Sequence, residues 1–475
     1  TLYLLRDYTT GEVQNSGSKN LTIDLGGHTW TYTGTDTNCA AFEINYSDVT
    51  LTVMNGTVIS NSMVGLIPSA MGGSTTYNNS ALVFENVTMT ANGHSGIETN
   101  GGNTNDNVTL INSTLNVPNG FGIYFPSSGT LTINNSVINA KTMGAQVCAG
   151  SLNIVGDKSA ITVTGGPVEK TENDGAIEDG AAISVINRPG YKDLGKVKVE
   201  AGRFTAKTGN YALKAYEWKD MTGSAFDNTN GTIAVSGGTF TTAVPEDYCA
   251  VGFIPTQNAD GTYGVKTGVY VAQNGNEKYV SLQAAIDAAK AGDTVTLIAG
   301  VDVTEQIVIN KSITLDLSGY TIRNTADIWD KVNSLILIDD GANVTVTGNG
   351  TIAAKENDCY TFNVKGNSTL TIENGTFIGN VSVVQVQSGN LVINGGNFSL
   401  LQKWNDSSMY LINCIDDAFA SGDAKVAIKG GTFADFDPNV SPEKKVDGKT
   451  PSFVAEGVGV AKDEGGNFVA VSDTA

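Results

Sequence analysis

Histidine and cysteine are scarce in this sequence of 475 residues, and their scarcity argues against several kinds of site. The two histidines, His28 and His94, are far apart, and there is no Cys-X-X-Cys pair, so a structural zinc site is not expected. Catalysis of the Ser-His-Asp or Cys-His type would have to use one of these two histidines. We expect the cysteines to be isolated thiols packed as small hydrophobic residues, not disulfide partners: Cys39, Cys148, Cys249, Cys359 and Cys414.

Positive charge is also in short supply, which restricts the partners that the protein can have. The chain carries 28 basic and 48 acidic residues, for a formal net charge of −20, and only four of the basic residues are arginines. Nucleic acid and anionic membranes are therefore poor candidate partners. Polysaccharide lyase chemistry is disfavoured as well, because it needs clustered cations and the arginines are scattered singly. No apolar run is long enough to span a bilayer.

Charged residues of both signs make up only 16% of the chain, whereas glycine reaches 56 residues. Together with many Asn, Thr and Val residues, this composition predicts a mostly β protein with tight turns. One short motif recurs throughout: an alternating apolar strand, a corner of Asn, Gly or Ser, and a second short strand. Its copies begin at Leu51, Leu82, Val108, Leu131, Leu152, Val197 and Ile233, and again at Val344, Leu370, Leu391 and Val426.

Copies of this motif begin about 21 to 31 residues apart where no insertion intervenes, a period typical of solenoids. Alternation gives each strand one buried face, and the small corner residues permit a left-handed or bridging backbone. We therefore expect the strands to pair in parallel, with each coil stacked on the one before. A single coil cannot cover its own apolar side chains, so the stack needs many coils and a cap at each end.

The caps indicate two tandem solenoid domains, residues 1–267 and 268–475. An amphipathic helix at about 281–291, with Ser281 as its N-cap, is expected to cover the start of the second domain. Each domain is expected to end in a β-hairpin, the first with its turn near Asp260-Gly261 and the second near Glu464-Gly465. Because Thr1 begins inside a repeat that matches the segment after Thr294, the N-terminal cap of the first domain is expected to lie upstream.

Several of these segments carry a resemblance to a known family. They are Val235-Ser-Gly-Gly-Thr-Phe240 with Tyr248-Cys-Ala-Val-Gly-Phe253, and Ser281-Leu-Gln-Ala-Ala-Ile-Asp-Ala-Ala with Gly292-Asp-Thr-Val295. The chain resembles pectin-lyase-like proteins, and especially the large extracellular proteins of gut Firmicutes with repeated Ser-Gly-Gly-Thr-Phe segments. The resemblance implies an all-β fold of two tandem right-handed parallel β-helices and a secreted or cell-surface location. It covers nearly all residues but consists of scaffold positions, so it implies little about activity.

Three places in the sequence are candidate sites, and the first is a group of acids in the second domain. Asp416, Asp417 and Asp423 can supply the acid and base of glycoside hydrolysis, and the Asp-Asp pair is similar to a segment of polygalacturonases. The Asn-Thr-Asp, Gly-His-Gly and Arg-Ile-Lys segments of those enzymes are missing. Adjacent aspartates on a strand would also point to opposite faces. The alternative is a solvated loop.

The second candidate is an acidic insertion between Pro167 and Gly180. Clustered carboxylates next to glycines can bind Ca²⁺, although their spacing matches no EF-hand. The alternative is an ordinary charged surface loop. The candidate ligands are Glu172, Asp174, Glu178 and Asp179, with Glu169 nearby.

The third candidate is a pair of aromatic insertions at matching places in the two domains. Aromatic rings stack on the apolar faces of sugars, while amides and acids bind the hydroxyls, so these insertions predict glycan binding. The alternative is that the aromatic side chains anchor their own loops. The residues are Tyr211, Tyr216, Trp218 and Lys219 in the first domain, and Trp404, Asn405, Asp406 and Tyr410 in the second.

Two functional hypotheses follow from the sequence. The first is an extracellular structural or adhesive stalk whose long faces bind host or neighbour-cell glycans weakly at many points, with no cofactor beyond an optional Ca²⁺. The second is a carbohydrate-active enzyme, a glycoside hydrolase before a lyase. Carboxylate geometry distinguishes them, because hydrolysis requires two carboxyl groups about 5 to 10 Å apart in a groove.

Overall fold

A computed structural model describes residues 1–69, 76–169, 175–188, 191, 195–217, 232–403, 410–441 and 450–472. Its contacts divide the chain into two compact units, Thr1–Gly268 and Val269–Ala475. Both units are all-β with parallel sheets, as the composition and repeats predict. In the part of the chain that the structure describes, α-helix is limited to two short segments, both in the second unit.

The first unit consists of short strands separated by tight turns and longer loops. In chain order they are β1 (Leu2–Tyr3), β2 (Tyr8–Thr10), β3 (Gln14–Asn15), β4 (Leu21–Asp24), β5 (Thr29–Tyr32), β6 (Ala40–Glu43), β7 (Thr50–Ser60), β8 (Met63–Ile67), β9 (Ala81–Ala91), β10 (Ser95–Thr99), β11 (Asn107–Ile111), β12 (Thr114–Val117), β13 (Phe121–Phe125), β14 (Thr130–Asn134), β15 (Val137–Ala140), β16 (Met143–Val147), β17 (Ser151–Val155), β18 (Ala160–Val163), β19 (Ile183–Asn187), β20 (Lys196–Val199), β21 (Arg203–Thr205), β22 (Leu213–Glu217), β23 (Ile233–Val235), β24 (Thr239–Phe240), β25 (Phe253–Gln257) and β26 (Tyr263–Thr267).

Most repeats of the first unit contribute one strand to each of three parallel ladders. The first ladder runs β1, β4, β7, β9, β11, β14, β17, β20, β23, and the second runs β2, β5, β7, β9, β12, β15, β18, β21, β24. The strands β7 and β9 pass through both, so the two ladders form one bent sheet. The third ladder, β3, β6, β8, β10, β13, β16, β19, β22, is a separate sheet.

The first ladder confirms the register of the sequence repeat. Each residue predicted to begin a copy pairs with the residue that begins the next copy, from Leu51 through Leu82, Val108, Leu131, Leu152 and Val197 to Ile233. These residues are buried in one continuous apolar core. The two longest intervals, after Leu152 and after Val197, contain the long insertions that the sequence assigns to loops.

Asparagine side chains form a second kind of ladder at a corner of the first unit. Asn55, Asn86 and Asn112 each have φ between 47° and 59°, in the left-handed region. The Nδ2 of Asn112 donates to Oδ1 of Asn86 at 3.3 Å, and the Nδ2 of Asn86 donates to Oδ1 of Asn55 at 3.2 Å. Asparagine tolerates this backbone better than most residues, and here its amide also bonds the neighbouring repeat.

The strands of the second unit are again short, and two helices accompany them. The elements are β27 (Ala272–Asn274), β28 (Glu277–Tyr279), α1 (Leu282–Ala288), β29 (Thr294–Leu297), β30 (Val301–Val303), β31 (Ile307–Ile309), β32 (Thr314–Asp316), β33 (Thr321–Asn324), β34 (Ser334–Ile338), β35 (Asn343–Thr347), β36 (Thr351–Ala353), β37 (Tyr360–Val364), β38 (Ser368–Ile372), β39 (Thr376–Gly379), β40 (Val384–Val386), β41 (Gly389–Ile393), β42 (Asn397–Leu400), β43 (Ile412–Cys414), α2 (Asp416–Ser421), β44 (Ala424–Ile428), β45 (Gly431–Phe433), β46 (Val458–Lys462) and β47 (Phe468–Ser472).

These strands form three sheets, to which successive repeats again contribute in turn. Parallel pairing joins β29, β32, β35, β38, β41 and β44 in the first sheet and β30, β33, β36, β39, β42 and β45 in the second. The third sheet is β31, β34, β37, β40 and β43, also parallel. The predicted repeat starts Val344, Leu370, Leu391 and Val426 pair in register.

Phenylalanine rings stack through the core of the second unit. The ring of Phe398 lies 5.2 Å from that of Phe377 and 5.0 Å from that of Phe433, with interplanar angles of 22° and 8°. A glycine precedes each ring by two residues, and Gly396 has a φ of +106°, which a larger side chain rarely adopts. The recurring Gly-X-Phe motif therefore combines a turn with a core ring.

The ends of the units match the sequence prediction in type, although the helix is shorter than expected. Ser281 caps α1 by accepting a hydrogen bond from the backbone N of Ala284, but the helix ends at Ala288 instead of near residue 291. Its buried side chains, including Leu282 and Ile286, join the core. Antiparallel hairpins close both units: β25 with β26 in the first, after a 3-10 turn at Glu246–Tyr248, and β46 with β47 in the second.

The described residues also answer two sequence-based expectations directly. All five cysteines are free thiols, and Cys148, Cys359 and Cys414 are buried. No helix found in the described ranges has both the length and the apolar character needed to cross a membrane.

The phenylalanine stack predicts a large effect of truncating its middle ring. Phe398→Ala should lower the free energy of unfolding of the second unit by about 3 to 5 kcal/mol, because it opens a cavity and removes two ring contacts. Phe398→Leu should cost less than half of that. Urea unfolding followed by circular dichroism measures both, with the exposed Val440→Ala as control. A cost below about 1 kcal/mol for Phe398→Ala would contradict the role of the stack.

Candidate functional site

The outer face of the third sheet of the second unit carries a row of amide side chains. In β37, β40 and β43, the residues that enter the core alternate with residues on the opposite face. Parallel register pairs Asn363 with Gln385, and Gln385 with Asn413. These three residues therefore lie side by side on neighbouring strands, about 4.8 Å apart along the hydrogen-bonding direction. We call them the amide row.

Hydrogen bonds link two members of the amide row through Asn333, which precedes β34. The Nδ2 of Asn363 donates to Oδ1 of Asn333 at 3.0 Å, and the Nδ2 of Asn333 donates to Oε1 of Gln385 at 3.4 Å. Asn363 is only 3% exposed, yet its Oδ1 accepts no hydrogen bond from the described residues. The Nε2 of Gln385 and the amide of Asn413 likewise have no hydrogen-bond partner within the described ranges. Amides with open donor and acceptor capacity are available to a ligand.

Two cavities open beside the amide row. The smaller, of about 230 Å³, is lined by Tyr360, Val381, Ser382, Tyr410 and Asn413. The larger, of about 530 Å³, includes among its lining residues Trp329, Asn333, Asn363, Lys331, Lys365 and Gln387. Because Asn363 lines one cavity and Asn413 the other, the row connects them. Small-molecule sites combine such concave shape with a few polar groups.

An aromatic pair stands at the edge of these cavities. The ring of Trp329 is 48% exposed and meets the ring of Tyr360 edge to face, with centroids 5.5 Å apart and planes at 78°. Tyr360 is half-buried, and it both contacts the tryptophan ring and lines the smaller cavity. The exposed ring of Trp329 offers an apolar platform next to amides.

Asp358 fixes the segment that carries Trp329. Its Oδ1 accepts hydrogen bonds from the backbone N of Ile328 and of Trp329, both at 2.9 Å, and its Oδ2 accepts one from Asn324. Burial acts to raise the pKa of Asp358, but the hydrogen bonds from the backbone of Trp329 and Ile328 and from Asn324 outweigh it and lower the pKa overall. The carboxylate is thus a positioning group for the platform, not part of the cavity lining.

The corresponding face of the first unit is covered by its own chain. Gln146 of β16 occupies the place equivalent to Gln385, since Gln146-Val147 matches Gln385-Val386. Its Nε2 donates to the backbone O of Ile177 at 2.7 Å, and its Oε1 accepts from the backbone N of Ile177 at 2.9 Å. The two units therefore carry the same amide, which bonds a backbone segment through both of its polar atoms in the first unit and keeps an unused Nε2 within the described residues of the second.

The acidic insertion supplies this cover, and two of its described acids, Glu178 and Asp179, bond within the fold, whereas Glu169 is exposed. Glu178 contacts His94, with 2.7 Å between Oε1 and Nε2, and accepts a hydrogen bond from Thr142. Asp179 is enclosed, and burial raises its pKa although it accepts hydrogen bonds from Ala181 and Tyr216. The other predicted Ca²⁺ ligands, Glu172 and Asp174, lie outside the described residues. No three His, Cys, Asp or Glu side chains in the described ranges are grouped as a metal would need.

The structure places the predicted glycan-binding aromatic residues in different environments. Tyr216 is fully buried and donates to Asp179 at 2.7 Å, so the prediction that its ring is a sugar platform is wrong. Tyr211 is 39% exposed, and Tyr410 lines the smaller cavity beside Tyr360. The remaining predicted residues lie outside the described residues: Trp218, Lys219, Trp404, Asn405 and Asp406.

The candidate catalytic acids are exposed at the edge of the second unit. Asp416 and Asp417 are exposed to solvent, as the alternative of a solvated loop expects, but they lie in the first turn of α2, where acids favour the helix N-terminus. Asp423 follows the helix, is exposed and accepts a hydrogen bond from Ser421 at 2.8 Å. None of the three lines either cavity beside the amide row.

Sequence reasoning missed Trp329, the amide row and one perturbed acid. The signal for the row was available, since Asn363, Gln385 and Asn413 occupy equivalent repeat positions. The acid is Asp106, which is fully enclosed, and burial raises its pKa to about 6 even though Ser80 donates a backbone hydrogen bond to it. An enclosed carboxyl cannot reach a substrate, so we assign Asp106 to the structure of the first unit.

Comparison with known proteins adds no assignment to this geometry. No protein-family model matches the chain, and no curated protein matches it.

The anchoring role of Asp358 predicts local loosening when its carboxylate is removed. Asp358→Ala should speed amide hydrogen exchange of the segment around Ile328 and Trp329 by about tenfold, because two backbone donors lose their acceptor. Asp327→Ala, which removes an exposed carboxylate paired with Lys355, is the matched control and should leave exchange there unchanged. Equal exchange in both variants would contradict the anchoring role. Mass spectrometry of peptic fragments provides the measurement.

The raised pKa of Asp106 predicts a pH-dependent stability. Between the unfolded pKa near 3.9 and the folded value of about 6, the folded state holds more protons, so stability falls as pH rises through this interval. Asp106→Asn should remove this dependence, and its advantage over wild type should be on the order of 1–3 kcal/mol larger at pH 7.5 than at pH 3.5. Thermal unfolding measures the difference, with the exposed Asp157→Asn as control. The same effect at both pH values would contradict the prediction.

Proposed function

We propose that the chain is an extracellular protein of two tandem right-handed parallel β-helices that acts as a structural or adhesive stalk and binds glycans. The parallel register of equivalent residues from repeat to repeat supports the solenoid architecture. The resemblance of the scaffold segments to large extracellular bacterial proteins supports the location. Tandem solenoids provide length and long, regular faces, which suit a stalk.

The observation that carries the glycan proposal is the combination of an exposed ring and open amides on one face. Trp329 supplies an apolar platform beside Tyr360, and Asn363, Gln385 and Asn413 supply donors and acceptors in a row. Sugar rings present an apolar face and a rim of hydroxyls, so they need both kinds of contact at the same place. Tyr360 and the three amides belong to one sheet, and the hydrogen bond from the backbone N of Trp329 to Asp358 fixes the segment of the tryptophan.

A single face of this kind is expected to bind a glycan weakly, and the binding becomes stronger when many copies of the protein act together. The lining is half polar and partly open to solvent, and each contact there contributes only about 1 kcal/mol. A surface-attached stalk presents many copies to many glycans, so the summed binding exceeds that of one site. This is the behaviour expected of an adhesive protein.

The glycoside-hydrolase alternative lacks a comparable observation. Asp416, Asp417 and Asp423 are exposed on and after α2, and neither cavity beside the amide row includes an acid other than Asp330 among its lining residues. Hydrolysis requires two carboxyl groups facing each other across the scissile bond. We therefore favour binding over hydrolysis.

A glycan array followed by calorimetry tests the proposal. We expect at least one oligosaccharide to bind wild type, and Trp329→Ala to weaken that binding about tenfold by removing the platform. Tyr320→Ala removes an exposed ring elsewhere in the second unit and is the matched control. Failure of every glycan to bind, or equal binding by both variants, would contradict the proposal. A parallel reducing-sugar assay on each bound oligosaccharide would detect hydrolysis, which would favour the alternative.

A further inference from the structure

We infer that the open face of the second unit recognises the acetamido group of N-acetylated sugars. This inference rests on the proposed glycan binding and specifies the sugar class. It starts from the two units, which place a glutamine at the same position of the third sheet but use it differently. In the first unit both the Nε2 and the Oε1 of Gln146 bond the backbone of Ile177, whereas among the described residues Gln385 of the second unit is bonded only at its Oε1, by the side chain of Asn333.

The contact at Gln146 shows what such a glutamine binds. Its Nε2 donates to the backbone O of Ile177 and its Oε1 accepts from the backbone N of the same residue, so one side-chain amide is paired with two groups of the peptide backbone. The segment around Ile177 is buried against the sheet by this pairing. A side-chain amide on this face therefore selects a ligand that offers an N–H donor and a C=O acceptor close together.

The second unit offers the same chemistry, and among the described residues only the side chain of Asn333 bonds to the amides of the row. The Nε2 of Gln385 is not used by the described residues, and Asn413, its register neighbour, has its whole amide available and lines a cavity. Asn363, on the other side, is nine-tenths buried and lines the larger cavity, with an Oδ1 that accepts no hydrogen bond there. Three adjacent amides with unused capacity indicate a ligand that carries amides of its own.

The aromatic platform decides between the two ligands that carry such amides. A peptide backbone would need the amide row alone, whereas an N-acetylated sugar also needs a flat apolar surface for its ring. Trp329 is 48% exposed beside the larger cavity, and Tyr360 and Tyr410 line the smaller one. Rings and amides together favour the sugar, with the acetamido group at Gln385 and Asn413 and the ring against an aromatic side chain.

Calorimetry with matched oligosaccharides tests this assignment. The probes are the β-1,4-linked trimers of N-acetylglucosamine, of glucosamine and of glucose, which share a backbone and differ at one substituent. We expect the acetylated trimer to bind at least about tenfold more tightly than the other two, because only it pairs with the amide row. Equal affinity for the acetylated and glucose trimers would overturn the acetamido assignment and leave glycan binding intact. Failure of all three trimers overturns the assignment too, and the array then decides whether glycan binding survives.

Two variants locate the contact within the protein. Asn413→Ala, at a half-buried position, should reduce affinity for the acetylated trimer about three- to tenfold while leaving any binding of the glucose trimer unchanged. Gln385→Met should have the same selectivity, and its thermal unfolding reports whether the fold is intact. Asn397→Ala removes an exposed amide from a different sheet and is the control. If either variant lost the same affinity for the acetylated trimer as for the glucose trimer, the assignment would be overturned.

A peptide probe tests the competing possibility that the open face binds an extended polypeptide. The probe is a synthetic peptide with the sequence from Gly175 to Ala181, which includes Ile177. It is added in solution to the whole chain, and its binding to the second unit is measured. We expect it to bind more weakly than the acetylated trimer, since it has no ring for Trp329. Tighter binding by the peptide, lost in Asn413→Ala, would replace the sugar by an extended polypeptide and overturn the inference.

Discussion

Parallel pairing between equivalent residues of successive repeats is the constraint on which both units depend. It brings Leu51, Leu82 and Val108 into one line and Phe377, Phe398 and Phe433 into another, so that each apolar side chain is covered by its counterpart. A slip of one residue would turn every inward side chain outward. Core packing and backbone hydrogen bonding therefore specify the same register.

The same parallel register also aligns side chains on the outer surface, where they do not pack in the core. Residues between the inward positions are also aligned, and this produces the row of Asn363, Gln385 and Asn413. In the first unit the aligned position holds Gln146, which a loop of the chain covers. Duplication of a scaffold thus leaves two copies of a surface, of which one is paired internally and one keeps open amides.

Much of the fold follows from the sequence, because alternation, small corners and recurring spacing act locally and recur many times. The repeat starts, both hairpins and the Ser281 cap could be predicted for this reason. The amide row could also have been predicted from its repeat positions, but the aromatic platform could not, since the position of Trp329 depends on a hydrogen bond to Asp358, 29 residues away. Tyr216 was misjudged for a similar reason: its burial comes from Asp179 on a distant insertion. The short helix α2 at Asp416 was not predicted, although acids favour the N-terminus of a helix.

The asparagine corners carry a consequence for the history of the protein. Asn55, Asn86 and Asn112 have the same backbone conformation, and Asn112 and Asn86 each donate to the asparagine of the preceding repeat, while Asn55 donates to Asp24. The two interfaces between these three repeats are thus joined by the same kind of bond. Loss of the repeat that holds Asn86 would bring Asn112 next to Asn55, a partner of the same kind, so this part of the stack can change its length by one repeat and keep its corner bond.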